Sequence, residues 1–189
     1  NEAMIRKERI MVYGDYDVDG CTAVALVYKF LRDFYPNVDY YIPDRYDEGY
    51  GVSKKRVEFA AESGVSLIIV LDCGIKAIEG IAYAKELGID FIICDHHVPD
   101  AELPCAVAIL NPKREDNRYP YTDLSGCGVG FKFMQAFAQS NGIEFNQLHQ
   151  LLDLCVISIA SDIVPIMGEN RILAYHGLRI LNSKPSVGL

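Results

Sequence analysis

The chain has 189 residues, 50% of them hydrophobic, and a formal net charge of −8 at pH 7. It can bury the core of one domain, or of one domain and the start of a second, and its composition excludes a disordered or membrane-spanning protein. Since it opens without an apolar signal segment and its six cysteines form no Cys-x-x-Cys pair, we expect a cytoplasmic protein with reduced thiols. The negative net charge leaves two interpretations. Either the protein binds a partner other than a long polyanion, or many of its carboxylates bind cations.

Short β-branched runs alternate with segments of helical periodicity as far as Leu110. The runs predict strands over residues 10–13, 38–42, 67–71, 89–94 and 106–110. Helices are predicted between them over residues 20–34, from an N-cap at Ser53 to residue 62, and over 77–87. The repeated β-α-β order predicts an α/β fold with a mainly parallel sheet flanked by helices.

From Gly126 onward the pattern becomes helical, with helices predicted over residues 130–140, 146–160 and 170–181. We therefore expect one domain over residues 1–189 that continues into a helical C-terminal segment. Residues 184–189 bring no closing element, so we also expect the chain to be a piece of a longer protein.

Acidic residues follow three of the predicted strands. They are Asp15, Asp17 and Asp19 after the first strand, Asp72 after the third, and Asp95 with His96 and His97 after the fourth. Parallel strands share their carboxyl edge, where open α/β folds place their sites. A single Asp there is more often a turn former, but crowded carboxylates raise one another's pKa until a cation neutralises them. The pattern therefore predicts a metal site.

The ligand types narrow the choice of metal. Carboxylates with one or two imidazoles suit Mn²⁺ or Mg²⁺, with imidazole favouring Mn²⁺. Two ions bridged by a carboxylate are the usual arrangement for phosphoryl hydrolysis. A calcium loop also opens with the pattern Asp15-x-Asp17-x-Asp19-Gly20, but it needs a glutamate where this sequence has Leu26. We therefore predict two Mn²⁺ or Mg²⁺ ions.

The order of these motifs, Asp17-x-Asp19-Gly20, Asp72 and Asp95-His96-His97, resembles the DHH phosphoesterase superfamily over roughly Arg9 to Leu181. Further segments are similar to the branch that degrades single-stranded DNA. They are Gly14-Asp15-Tyr16-Asp17-Val18-Asp19-Gly20, Glu48-Gly49-Tyr50-Gly51, Asn111-Pro112, Tyr119-Pro120, Gly128-Val129-Gly130-Phe131-Lys132, and Ser161-Asp162-Ile163-Val164-Pro165 followed by Glu169-Asn170-Arg171.

This resemblance implies a role for each matching residue. The implied metal ligands are Asp17, Asp19, Asp72, His96 and Asp162, with Asp72 bridging the two ions and Asp15 completing the shell of the first. His97 is implied to contact the scissile phosphoryl oxygen, and Asp95 to orient the site. Other branches have a histidine ligand where this sequence has Tyr13.

Substrate contacts are expected where residues 125–132 open a helix. Backbone N–H groups at Gly128 and Gly130 are candidates to hold a phosphate, with Lys132 adding charge; the alternative is tight-turn glycines beside a solvated lysine. Arg118 and Arg171 are candidates to meet substrate, with surface ion pairs as their alternative.

The function that the resemblance implies is metal-dependent hydrolysis of single-stranded DNA from its 5′ end, in DNA repair and recombination. One alternative is a phosphodiesterase of the same superfamily acting on short oligonucleotides or cyclic dinucleotides, which shares the metal core. A second is a non-catalytic scaffold, which the complete set of acidic positions disfavours. A nucleotide-binding α/β domain is a further alternative, but this sequence has no Gly-x-Gly-x-x-Gly motif after its first strand.

Overall fold

All five predicted strands are present in the computed structural model, which describes residues 1–46 and 51–189. They are β1 (Arg9–Gly14), β2 (Val38–Tyr41), β3 (Val65–Leu71), β4 (Asp90–Cys94) and β5 (Ala108–Leu110). Within the described residues they pair in parallel in the order β2-β1-β3-β4-β5, which confirms the predicted α/β sheet. Residues 48–50 of the matching segment 48–51 lie outside the described part of the chain.

The helices follow the predicted order with several changed boundaries. Those described are α1 (Glu2–Ile5), α2 (Val18–Arg32), α3 (Lys54–Glu62), α4 (Ile78–Glu86), α5 (Gly126–Ser140), α6 (Phe145–His149), α7 (Leu152–Ser161) and α8 (Gly168–Leu181). The short α1 was not predicted. The prediction for α5 was wrong by four residues, because Ser125 caps the helix by accepting a hydrogen bond from the Gly128 N–H.

The single helix predicted over residues 146–160 is two helices, α6 and α7. Between them, the Leu151 N–H donates to the Leu148 carbonyl and the Leu154 N–H donates to the Leu151 carbonyl, each three residues back along the chain. These tighter turns break the α-helical ladder. Because Leu148, Leu151 and Leu152 are all buried across the break, the apolar pattern continues through it and conceals it.

The sheet is buried on both faces. Ile10 and Val12 of β1 face a core shared with α2, α5 and α7, whereas Met11 and Tyr13 face a second core shared with α3 and α4. Successive side chains of a strand point to opposite faces, so an apolar strand of this kind contributes to both cores. All six cysteines are free thiols, and four of them are buried.

The helical C-terminal part packs over the same face as α2. Helices α5 and α7 both contact α2, and α8 packs along α7. At Gly177 an added Cβ would lie 2.2 Å from the Leu152 carbonyl oxygen, so only glycine allows this approach of α8 to α7. The packing brings the end of α7 to the start of α2. In the described residues, no helix combines the length and the apolar character that crossing a membrane requires.

Candidate metal centre

The three acidic strand ends meet at one edge of the sheet. In the strand register, Gly14 of β1 lies beside Leu71 of β3, and Leu71 lies beside Cys94 of β4. The residues that follow are Asp15, Asp72 and Asp95, and all three are buried. Adjacent parallel strands therefore bring the three carboxyl groups together, as the sequence predicted.

Asp72 is the most constrained of these residues. Its backbone is left-handed, with φ at 59°, and its N–H donates to the Cys94 carbonyl over 2.9 Å. A left-handed non-glycine residue is strained, and such residues cluster at functional sites. Burial, together with the Asp19 and Asp17 carboxylates, raises the pKa of Asp72 to about 10. Its Oδ1 atom is buried and has no hydrogen-bond partner in the described part of the chain.

His96 faces Asp72 across the cluster. Its Nδ1 atom lies 3.0 Å from the Leu124 carbonyl oxygen, which can only accept, so Nδ1 carries a proton and Nε2 is the nitrogen left with the lone pair when the ring is neutral. Nε2 lies 3.1 Å from Asp72 Oδ1, 3.6 Å from Asp19 Oδ2 and 3.7 Å from Asp162 Oδ2. A lone pair turned toward three ionised carboxylates is repelled by them, and a cation or a proton placed between these atoms removes the repulsion.

Asp19 is held by the N-terminus of α5. Its Oδ2 atom accepts from the Gly126 N–H over 2.7 Å, and Oδ1 accepts from the Cys127 N–H over 2.8 Å and from the Ser158 hydroxyl over 2.7 Å. The positive end of a helix dipole favours a carboxylate at this position. Ser158 has one proton and gives it to Asp19, so the Ser125 hydroxyl, 2.5 Å away, must donate to Ser158.

His97 and Asp95 form a pair beside the cluster. Asp95 Oδ1 accepts from the His97 N–H and lies 2.7 Å from His97 Nδ1, while Oδ2 accepts from the Ile75 N–H. Burial by itself raises the pKa of Asp95, but the hydrogen bonds from His97 and Ile75 outweigh it and lower that pKa. The hydrogen bond to Asp95 raises the pKa of His97. His97 borders a cavity of about 530 Å³ between residues 51–52 and residues 74–77.

The other predicted acidic ligands surround this centre. Asp17 caps α2 by accepting from the Gly20 N–H, and Asp162 ends α7; both line a cleft with Asp19. Burial raises the pKa of Asp15. Tyr13, at the position where other branches of the superfamily have a histidine, instead directs its hydroxyl to the Gly51 carbonyl over 2.9 Å.

Two groups of candidate ligand atoms emerge from this geometry. One is Asp72, His96 and His97, the other is Asp19, His96 and Asp162, and within each group the atoms lie within 4.8 Å of one another. Among the described residues, Asp15 and Asp17 belong to neither group. The buried Asp72 Oδ1 and His96 Nε2 atoms lack hydrogen-bond partners within the same part of the structure. A cation supplies the missing partner for both atoms, so the donor set fits Mn²⁺ or Mg²⁺.

The backbone N–H groups that were predicted to hold a phosphate at the start of α5 already donate to groups within the protein. The first N–H groups of α5 donate to Asp19, the Gly128 N–H donates to Ser125, and Gly130 lies buried within the helix. Lys132 does not face solvent freely, because its Nζ atom pairs with Glu169 Oε1 at 2.8 Å. The prediction of a phosphate site fails because the helix begins four residues early and its N-terminus already binds a carboxylate.

The remaining substrate candidates, Arg118 and Arg171, are exposed, and no described contact ties them to the cluster. Sequence reasoning missed Ser125, Ser158 and the Leu124 carbonyl, which support Asp19 and His96. Serine residues and a backbone carbonyl carry no signal of such a role in a single sequence. Ser158 lies 139 residues from Asp19 along the chain, so only packing reveals the contact.

Comparison with known proteins identifies similar chains. The "DHH family, N-terminal domain" description matches residues 9–159. The single-stranded-DNA-specific exonuclease RecJ of Bacillus subtilis is 43% identical over 188 residues, covering 100% of this chain and 23% of that protein. RecJ of Escherichia coli is 38% identical over 180 residues, covering 90% of this chain and 31% of that protein. The chain thus spans 23% and 31% of the lengths of these two relatives.

Solved structures agree with the sequence comparison. A crystal structure of exonuclease RecJ bound to manganese matches with a TM-score of 0.83 and 32% identity, over 94% of this chain and 45% of that one. RecJ from Thermus thermophilus in complex with Mn²⁺ matches with a TM-score of 0.79 and 29% identity, over 94% of this chain and 25% of that one.

Proposed function

The chain belongs to the DHH family, and on that premise we propose that it is the metal-binding part of a phosphodiesterase that degrades single-stranded DNA. One observation carries this proposal: Asp72 Oδ1 and His96 Nε2 are buried 3.1 Å apart among carboxylates, without hydrogen-bond partners in the described residues. Carboxylates crowded in this way raise one another's pKa, and a bound cation removes the cost of ionising them. Similar proteins named single-stranded-DNA-specific exonucleases support the choice of substrate.

We propose that residues 1–189 act as one metal-binding domain for two Mn²⁺ or Mg²⁺ ions. The residues that would hold them are Asp19, Asp72, His96 and Asp162 of the two ligand groups, Asp17 of the adjoining cleft, and Asp15, which the family resemblance adds. When bound, such ions lower the pKa of water and stabilise negative charge on phosphoryl oxygens. The protein's own part is to hold these side chains in position and to exclude bulk water from Asp72 and His96, both of which are buried.

His97 is proposed to contact the scissile phosphate. This residue is exposed, and Asp95 holds the Nδ1 side of its imidazole ring. Because Asp95 raises the pKa of His97, the ring carries more positive charge near neutral pH than an isolated histidine would. A cationic ring at this place attracts a phosphoryl oxygen and donates a hydrogen bond to it.

The nucleic acid is proposed to enter from the exposed side of His97, where the cavity opens. Arg118 and Arg171 are the exposed cations proposed to contact its backbone. Lys132 is left out of this role because Glu169 already neutralises it. The net charge of −8 is consistent with a local metal-lined site in place of a broad basic surface.

The test has two steps. Calorimetry first measures Mn²⁺ binding to this chain and to its Asp72→Asn variant, and binding is expected in the former only. Release of mononucleotides from a 5′-labelled single-stranded oligonucleotide is then followed with Mn²⁺, with unlabelled single strands, dinucleotides and duplex DNA as competitors. Hydrolysis inhibited by single strands alone supports the proposal. Preference for dinucleotides would favour a phosphodiesterase of short substrates, and failure of the unchanged chain to bind Mn²⁺ would reject the site.

A further inference from the structure

Asn170, in the first turn of α8, is a fully buried polar residue outside the ligand groups described above. Its Nδ2 atom donates to the Asp123 carbonyl over 2.6 Å and to the Pro165 carbonyl over 3.1 Å. Two carbonyl partners require the NH₂ side of the amide, so its orientation is determined. Its Oδ1 atom is buried and has no partner among the described residues.

The first contact of Asn170 supports His96. Asp123 directly precedes Leu124, whose carbonyl oxygen lies 3.0 Å from His96 Nδ1. That contact determines which ring nitrogen carries the proton and turns Nε2 toward the carboxylates. By holding the Asp123 carbonyl, Asn170 therefore holds the peptide directly before the Leu124 carbonyl, on which the orientation of the His96 ring depends.

The second contact supports Asp162. Pro165 ends a short turn that begins at Asp162 and contains Ile163, whose backbone is left-handed with φ at 56°. This conformation is strained for a β-branched residue. The Ile163 side chain is 86% exposed, so packing of that side chain does not stabilise the turn. The Pro165 carbonyl accepts hydrogen bonds from Asn170 and from the Tyr121 hydroxyl, and these contacts hold the turn.

The start of α8 is itself fixed. Glu169, the neighbour of Asn170, pairs with Lys132 of α5 at 2.8 Å and accepts from the Tyr119 hydroxyl at 2.5 Å. Asn170 therefore projects from a braced helix end, and its amide acts as a rigid link between two otherwise irregular segments.

We propose that Asn170 is a positioning residue for the metal centre. Its side-chain amide holds both the segment whose Leu124 carbonyl contacts His96 and the turn that follows Asp162. In this way it sets the 3.7 Å separation of His96 Nε2 and Asp162 Oδ2. The inference rests on the proposed metal site and assigns Asn170 no contact with metal or substrate.

Asn170→Asp tests the proposal, because aspartate has the same shape and loses both N–H donors. The matched control is Asn182→Asp, at the other end of α8, where the exposed Nδ2 donates to the Leu178 carbonyl. Mn²⁺ affinity is measured by calorimetry, and the coordination of bound Mn²⁺ by its paramagnetic resonance spectrum. We expect Asn170→Asp to weaken binding roughly 10- to 100-fold and to change the spectrum. The control is expected to change neither.

Tyr121→Phe provides a second variant in case Asn170→Asp does not fold. It removes only the second donor to Pro165, and we expect a weakening of binding of a few-fold, smaller than for Asn170→Asp. If a folded Asn170→Asp variant shows unchanged Mn²⁺ affinity and spectrum, the role of Asn170 is overturned and the proposed function still stands. If Asn170→Asp does not fold, the same unchanged result in Tyr121→Phe overturns that role. Absence of Mn²⁺ binding by the unchanged chain would overturn the metal site itself.

Discussion

Asp72 Oδ1 and His96 Nε2 lie 3.1 Å apart, and when the Asp72 carboxyl is ionised and the His96 ring is neutral both atoms are acceptors. Asp19 and Asp17 add negative charge, and burial prevents water from screening it. The arrangement opposes folding in the absence of metal and favours metal binding, as expected where a binding site is built at the expense of stability.

Replacing Asp72 with Asn is therefore expected to separate stability from binding. The variant removes one carboxylate from the cluster, so the metal-free protein gains about 1 kcal/mol or more and its Tm rises by about 2–4 °C. Mn²⁺ binding is lost, because the amide is a far weaker ligand. Thermal melting with and without Mn²⁺ measures both effects. A variant that melts lower without metal would contradict the interpretation that the carboxyl of Asp72, with its raised pKa, destabilises the metal-free fold.

Ser158 is the second residue whose role is open to direct measurement. Its hydroxyl is buried and donates to Asp19, whereas that of Ser161, in the same helix, donates to the Ser158 carbonyl on the outer side. Ser158→Ala is expected to lower stability by about 1–3 kcal/mol and to weaken Mn²⁺ binding by about tenfold. Ser161→Ala is expected to change stability by less than about 0.5 kcal/mol. Denaturant unfolding and calorimetry compare the two, and equal effects would remove the special role of Ser158.

Helix α5 contacts two residues of the candidate metal centre, Asp19 and Asp72. Its first two N–H groups bind Asp19, and its first residue, Gly126, lies against Asp72. A Cβ added at Gly126 would lie 2.5 Å from Asp72 Oδ1, so a larger residue cannot be accommodated without moving the carboxylate. Gly126 is therefore needed for packing at the site, and the first N–H groups of α5, predicted to hold phosphate, donate within the protein instead.

A pair of alanine substitutions in α5 tests that conclusion. Gly126→Ala is expected to displace Asp72, to destabilise the fold by about 1–3 kcal/mol and to weaken Mn²⁺ binding. At Gly130 an added Cβ would meet only the side chains of Val27 and Leu71, at 3.3 and 3.4 Å, and alanine favours the helix by about 1 kcal/mol. Gly130→Ala is therefore expected to be nearly neutral. Chemical denaturation and calorimetry measure both variants, and the reverse order would refute this account of α5.

At the scale of the molecule, the candidate centre lies where the sheet meets the helical part. Asp72 and His96 follow strands β3 and β4, whereas Asp162 ends α7. A cation held between them links the two parts directly. Binding to the folded state alone stabilises the whole protein, by about 2.7 kcal/mol when the metal concentration is 100 times Kd.

Metal binding is therefore expected to protect both parts against unfolding. Hydrogen exchange of backbone amides should slow on addition of Mn²⁺ in β3 and β4 and also in α7 and α8. Asp162→Ala removes the ligand from the helical part, so protection by Mn²⁺ should weaken in α7 and α8 more than in the strands. Mass spectrometry of exchanged peptides resolves these regions. Protection confined to the strands of the unchanged chain would place the metal on the sheet edge alone.

The sequence by itself determined the sheet and the main members of the centre. Apolar β-branched runs are interpretable one strand at a time, and Asp15, Asp72 and Asp95 each follow such a run. Parallel pairing then places them at one edge whatever the details of packing. The link of Asp162 to this edge came from family resemblance, since an acidic residue after a helix has no distinctive local pattern.

The tertiary structure alone decided which polar groups support the ligands and which are already paired. Asp19 meets α5 across 107 residues of sequence, and Lys132 meets Glu169 across 37. Such contacts depend on how α5, α7 and α8 pack, and no local propensity encodes that packing. For the same reason the pairing of Lys132 with Glu169, and the supporting contacts of Ser158 and Asn170, become recognisable only when the chain is folded.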